Sequence, residues 1–251
     1  MNQTRENYTP GYTSNALDFM SRRTAESHAA FFLPQLKAGM RLLDCGCGPG
    51  GITVGLAQHI SPGEVIGIDV GGAQLERARE RAIEGNVRAS FREASVYALP
   101  FRNAEFDTVF SHALLEHLAT PLKALEEILR VLKPGGCVGL RSPDWGGFVL
   151  HPWSEELAKA LADYQAMQRF NGGDVFAGRK LVAWLNEAQF ARVQATASYE
   201  IYPSAAFIAD YLAQQLDSNG RDESAAFLRT WAKEPDAMFA QAWFEAIGYK
   251  G

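Results

Sequence analysis

The stretch that decides the fold is Leu42-Leu43-Asp44-Cys45-Gly46-Cys47-Gly48-Pro49-Gly50-Gly51, followed by a second short apolar run that ends at Asp69. A buried strand closes on an acidic residue, a glycine-rich turn follows, and a second carboxylate arrives one strand later. In a parallel sheet this places the turn and the second carboxylate at the carboxyl ends of neighbouring strands, where ligands of open α/β sheets bind. Gly46-x-Gly48-x-x-Gly51 fits a dinucleotide fingerprint, with Asp69 near the place of its ribose ligand. The missing Cβ atoms let the backbone approach a ligand, so a nucleoside-bearing cofactor is expected. A pyrophosphate or a ligand carboxylate would suit the same N–H donors, and the glycines alone leave that choice open.

Outward from this turn, residues 40–143 alternate short apolar runs with helical patterns, as strand–helix units on a parallel sheet do. Strands are expected at 40–45, 64–69, 88–93, 106–111 and 137–142. Leu122, Leu125, Ile128, Leu129 and Leu132 repeat on one helical face, and Pro134-Gly135-Gly136 breaks that helix before the next strand. Residues 15–36 read as a helix ahead of the sheet. After residue 150 the pattern is mainly helical, with Trp153, Leu157, Leu161 and Tyr164 on one face and Phe207, Tyr211, Phe227 and Trp231 on later helices. A further strand is expected at 191–199, and 239–247 fits a helix by spacing or a final strand. The expected organisation is one α/β domain: an N-terminal cap over 1–36, a cofactor-binding core over 37–200 and a C-terminal helical region over 201–251.

The chain has 251 residues, enough for one substantial core, and its 47% hydrophobic and 21% charged residues are those of a folded chain. A net charge of −5 without a Lys/Arg run disfavours a nucleic-acid partner, because neutralising phosphates needs a basic stripe. No apolar run is long enough for a membrane span, and the polar start lacks the core of a secretory signal. Cys45, Cys47 and Cys137 make no even disulfide framework, so a cytoplasmic setting is expected. Cys45-x-Cys47 lacks further ligands nearby, and no metal is expected.

Three features narrow the cofactor. Asp44, directly before the turn, would repel a pyrophosphate and favour an ammonium or sulfonium group. Ala98-Leu99-Pro100-Phe101, Glu105-Phe106-Asp107-Thr108-Val109-Phe110 and Leu129-Arg130-Val131-Leu132-Lys133-Pro134-Gly135-Gly136 follow in order. No Tyr-x-x-x-Lys pair follows a strand for hydride chemistry. Together these motifs, over about residues 38–145, resemble a class I S-adenosylmethionine-dependent methyltransferase of the small-molecule type, similar to the quinone-biosynthesis methyltransferases. The resemblance implies a Rossmann-like methyltransferase fold: a mostly parallel seven-stranded sheet with helices on both faces, a helical cap, and an edge hairpin adding the only antiparallel strand.

Carried over residue by residue, the resemblance puts Asp44 near the methionine amino group and the backbone of Gly46, Cys47 and Gly48 along the methionine and ribose. Asp69 would accept both ribose hydroxyls, Val70 would pack on adenine, and Gln74 would add a polar contact. Ser95 stands where an Asp is usual, leaving the backbone of Ala94 and Val96 to read the adenine edge. Tyr12 and Ser111 complete the expected cofactor set. Candidates beside the reacting methyl follow the fourth and fifth strands. His117, Asp144 and His151 are the candidate bases, with His112 ranked below His117, and Trp145 is a candidate wall in a loop that Gly146-Gly147 leave free to close. His117 equally suits a structural hydrogen bond at a helix start. Arg22-Arg23 are the polar candidates of the cap.

The activity implied is metal-independent transfer of a methyl group to a small organic acceptor. The alternatives are a regulatory protein that binds the cofactor without catalysis, and a nicotinamide-dependent oxidoreductase. The Asp/Asn-Pro-Pro-aromatic motif of nucleic-acid amino-methylating enzymes is missing: Ser111-His112-Ala113-Leu114 stands in its place. Neither the methylated atom nor the oligomeric state can be read from the sequence.

Overall fold

The structure is a computed structural model that describes residues 8–11 and 14–251. Strands β1 (Arg41–Cys45), β2 (Glu64–Asp69), β3 (Ala89–Glu93), β4 (Phe106–His112), β5 (Leu132–His151), β6 (Ala191–Ile201) and β7 (Met238–Tyr249) form one sheet of order β3-β2-β1-β4-β5-β7-β6. The pairs from β3 through β5 are parallel, and β7 runs antiparallel to both β5 and β6. The single reversed strand is the one that the resemblance implies, but β6 and β7 are joined through two helices and not by a hairpin turn. Chain direction across the sheet switches between β1 and β4, which opens a crevice beyond their carboxyl ends.

Around the sheet lie α1 (Ser14–Ser21), α2 (Ala25–His28), α3 (Gly51–His59), α4 (Gly72–Glu84), α5 (Pro121–Val131), α6 (Glu155–Phe170), α7 (Ala177–Glu187), α8 (Ala205–Asp217) and α9 (Asp222–Trp231). Strand side chains alternate in direction, so each central strand feeds two cores. Leu42, Val65 and Phe110 pack with Phe32 and Leu56 on one face. Leu43, Ile66 and Val109 pack with Leu125 and Ile128 of α5 on the other. A third core is the cap itself, where Phe19 of α1 joins Leu157, Leu161 and Tyr164 of α6 and Leu212 of α8.

Several expectations are corrected. The helix expected over 15–36 is broken into α1, α2 and a short 3-10 turn, because Thr24 adopts an extended backbone and its hydroxyl accepts from Ser27 N to cap α2. Trp153 is 65% exposed and precedes α6, so it does not share the buried face of Leu157, Leu161 and Tyr164. The region 201–251 is not helical throughout, since after α8 and α9 the chain returns to the sheet as β7. β7 lies between β5 and β6 with Phe239, Ala240, Gln241, Ala242 and Trp243 all buried. Burial on both faces erases the polar–apolar alternation that would have marked a strand. Gly146-Gly147 is likewise not a free loop: it forms the irregularity where the β5/β7 register shifts between Asp144 and Phe148.

Candidate active site

The turn after β1 places Gly46, Gly48 and Gly50 at positive φ, which folds the chain back onto its neighbouring strand. Gly46 N and Cys47 N donate to the Ile68 carbonyl at 2.8 and 3.0 Å, Gly48 N donates to Asp69 Oδ2 at 3.0 Å, and Gly50 N donates to the Cys47 carbonyl at 3.1 Å. These four donors of the turn are engaged inside the protein. The turn presents a smooth backbone edge held by the carboxylate at the end of β2.

This edge walls a cavity of about 220 Å³. From β1 and its turn come Asp44, Gly46, Cys47 and Gly48; from the β2–α4 connection, Asp69, Val70 and Gln74; from beyond β3, Ala94, Ser95 and Val96. Asp44 is 2% exposed, and its Oδ2 accepts from Thr53 Oγ1 at 2.6 Å. Burial, with a smaller push from Asp69, raises its carboxyl to about 7 against that hydrogen bond. Burial also raises Asp69, opposed by the N–H groups of Gly71, at 2.8 Å from Oδ1, and Gly48. Two carboxyls in one cavity, Asp44 buried and Asp69 partly buried, favour a ligand that brings a positive charge and hydroxyl donors. The Gln74 side chain is 2% exposed, and its Oε1 has no hydrogen-bond partner.

A second cavity of about 40 Å³ adjoins the first, and Tyr8, Met20, Arg23, Ala113 and His117 wall both. Its other walls are largely aromatic, with Trp145 and Tyr164 in contact at 4.6 Å between rings, and Tyr211 stacked on Phe19 at 4.1 Å. Glu116 lies here, 2% exposed, its Oε2 accepting from Ser142 Oγ at 3.0 Å. Burial raises the Glu116 carboxyl to about 7 in spite of that bond and the nearby arginines.

The family described as "Methyltransferase domain" matches residues 43–140, which run from within β1 to within β5 and include the whole glycine turn. An "Uncharacterized methyltransferase" of Schizosaccharomyces pombe is 35% identical over 190 residues, 73% of this chain and 68% of that protein. The "Probable methyltransferase ltbC" of Aspergillus luteorubrus is 30% identical over 285 aligned positions, 97% of each chain. The chain is a class I S-adenosylmethionine-dependent methyltransferase. The crystal structure of the YcgJ protein from Bacillus subtilis has the same fold, with a TM-score of 0.66 at 18% identity over 88% of this chain and 97% of that one.

The residues present fit S-adenosylmethionine, the cofactor of this methyltransferase: Asp44, Asp69 and Gln74, whose Oε1 is buried and unpaired, line the cavity. Ten of the expected cofactor residues line that cavity: Asp44, Gly46, Cys47, Gly48, Asp69, Val70, Gln74, Ala94, Ser95 and Val96. Tyr12 lies outside the described residues. Ser111 does not line the cavity, because its hydroxyl turns inward and donates to the Cys45 carbonyl at 3.0 Å.

The candidate bases of the methyltransferase fare differently. His117 lines both cavities, edge-on to Tyr8 at 4.8 Å, but burial, helped by Arg23, holds it down at about 3. It is therefore a neutral imidazole with little basicity. His112 lines the cofactor cavity and accepts from Arg141 Nη1 at 2.9 Å, and burial and the arginines keep it well below its usual range. Asp144 faces neither cavity and is held by Arg179. His151 is exposed at the far end of β5, away from both cavities. Arg23 lines both cavities, whereas the Arg22 guanidinium covers the Phe207 ring at 4.4 Å. Glu116 was not among the candidates. Its one signal is a carboxylate set inside the apolar run Ala113-Leu114-Leu115 and Leu118, where a solvated charge has no place.

Proposed function

We propose that the chain methylates a small organic acceptor bound in the aromatic chamber, without a metal ion and in the cytoplasm. The observation that carries this reading is the pair of adjoining cavities: a cofactor cradle and a smaller acceptor chamber share the wall made by Tyr8, Arg23 and His117. When bound, S-adenosylmethionine supplies a methyl group on a positively charged sulfur. Asp69 would hold the ribose hydroxyls and Asp44 the ammonium end, while the aromatic walls align the acceptor and keep water out. A regulatory protein that only binds the cofactor has no need of a second buried chamber with ionisable walls. Among the described residues no group of three or more His, Cys, Asp and Glu side chains could hold a metal ion, and no helix is long and apolar enough to cross a membrane.

The test is thermal unfolding with S-adenosylhomocysteine and with NAD. At a hundredfold excess over Kd the former stabilises by about 2.7 kcal/mol, a rise in Tm on the order of 5–10 °C for a chain of this size. NAD gives none. Methyl transfer then persists in the presence of a chelator, and strict dependence on a divalent ion would refute the metal-free part.

A further inference from the structure

Four residues that wall the acceptor chamber each carry a buried polar atom without a hydrogen-bond partner: His117 Nδ1, Gln168 Oε1, Gln241 Oε1 and Trp243 Nε1. Such atoms are rare in folded proteins, and four around one small space point to a missing polar ligand. The sense of three of them is fixed. Gln241 Nε2 donates to the carbonyls of Asp144 at 2.8 Å and Ala242 at 3.3 Å, so its amide oxygen is left as an acceptor. Gln168 Nε2 donates to the Glu116 carbonyl at 3.4 Å and leaves its own oxygen in the same state. The Trp243 indole N–H only donates. A hydroxyl group can donate its one proton to a single acceptor and accept from the indole at once, whereas an ether or a hydrocarbon has no proton to donate.

The cations at and beside the chamber argue against a protonated amine. Arg23 is one of its walls, with its guanidinium 5.4 Å from the Phe19 ring centre and 6.0 Å from that of Trp243. Arg141 covers the Trp243 ring at 4.2 Å. The positions over these rings that would attract an ammonium are already filled by cations, and a further cation is repelled.

Glu116 is the ionisable acid of the same chamber, held by Ser142 and buried among these groups. A carboxyl raised to about 7 takes up a proton at neutral pH, and it matches a phenol, ordinarily near 10, far better than an aliphatic alcohol. The free volume, about 40 Å³, suits the reacting end of a molecule.

We propose that the chamber takes a phenol-type hydroxyl as the methyl acceptor and that Glu116 receives its proton. This rests on the methyl-transfer reading above. The phenol oxygen bonds the methyl carbon as the bond from that carbon to sulfur breaks. The sulfur keeps the electron pair, and the hydroxyl proton passes to Glu116 and then to solvent.

The test uses 4-methylphenol, 4-methylaniline and 4-methylanisole, which share one ring and differ in the reacting group. Each is titrated by calorimetry into the full chain saturated with S-adenosylhomocysteine. The phenol is expected to bind at least tenfold tighter than the other two, and Glu116→Gln to lower that preference below threefold with S-adenosylhomocysteine affinity unchanged. Labelled methyl from S-adenosylmethionine appears on the phenol oxygen, at least a hundredfold more slowly in the variant. Equal binding of the three probes, preference for the aniline, no binding of the phenol, or binding without methylation overturns the proposal. Failure of S-adenosylhomocysteine itself to bind overturns the methyl-transfer reading instead. Should Glu116→Gln not fold, Gln168→Leu takes its place, with the phenol's advantage over the anisole expected to fall several-fold and an unchanged advantage counting against the proposal.

Discussion

Asp144 and Arg179 form a two-point ion pair, Nε to Oδ2 at 2.6 Å and Nη2 to Oδ1 at 2.7 Å, that ties β5 to the first turn of α7. The backbone N–H groups of Gly146 and Arg179 donate to the same carboxylate at 2.9 and 3.3 Å. The carboxylate is fully buried and held by four donors, which makes it an anchor between β5 and α7. Arg179→Ala is expected to lower stability by about 1–3 kcal/mol in urea unfolding, because the acid is left short of partners. A tenfold loss of kcat at unchanged stability would put Asp144 back into the chemistry.

Asp69 is pre-set by Gly48 and Gly71, whose N–H groups hold its two oxygens in place and leave lone pairs for hydroxyl donors. Asp69→Ala removes that acceptor and frees the Gly48 amide. Calorimetry should show S-adenosylhomocysteine bound about ten- to a hundredfold more weakly, equivalent to roughly 1–3 kcal/mol. An unchanged Kd would mean that the ribose lies elsewhere.

Asp44 keeps its proton up to about pH 7 while it is unliganded, and it must release it to face an ammonium group. Affinity for S-adenosylhomocysteine should therefore tighten as pH rises from 5.5 to 7, by up to about tenfold per unit, and level off above. Asp44→Asn weakens binding and flattens the curve. A pH-independent Kd in the wild-type chain would contradict the placement.

The same two raised carboxyls act on stability with the opposite sense. Folded Asp44 and Glu116 hold protons to about 7, whereas in the unfolded chain they ionise near 4. Between those values the folded state binds more protons, so their contribution to the stability of the unliganded protein is lost as pH rises from about 4 to 7. Differential scanning calorimetry should show Asp44→Asn reducing that slope, and an identical slope would count against burial as the cause.

Gly50 enters α3 at φ +79°, and a Cβ there would lie 2.8 Å from Ala78 Cβ and 2.9 Å from Ala78 Cα of α4. Gly50→Ala combines left-handed strain with a clash against backbone that cannot turn away. A loss of about 2–4 kcal/mol is expected in urea unfolding. A loss below about 0.5 kcal/mol would show that α4 yields to the methyl group.

The parallel core and the cofactor cradle could be read from the amino acids because their signals are local. Asp44, the glycines and Asp69 sit within 26 consecutive positions, 44 to 69, and each strand of that core carries its own apolar run. Ser111 was misplaced because a hydroxyl next to a ligand-bearing strand end turns inward or outward at no cost in pattern. Asp144 and His151 were misplaced because titratable residues after a strand look alike until their partners are known, and Arg179 is 35 positions from Asp144.

By itself the sequence determined the strand–turn–helix unit, the acidic residue at each strand end and, through four motifs in order, the methyl-donor cofactor. Those features rest on periodicity, glycine conformation and short spacing, which act over a few residues at a time. Only the tertiary structure decided the second, aromatic-walled cavity. Its walls come from Tyr8, Glu116, Trp145, Gln168, Tyr211 and Trp243, which are brought together by the return of the chain as β7 and by the docking of the cap helices. A strand buried on both faces shows no alternation, and a carboxyl becomes basic only when long-range packing removes its water. No local pattern records either of these.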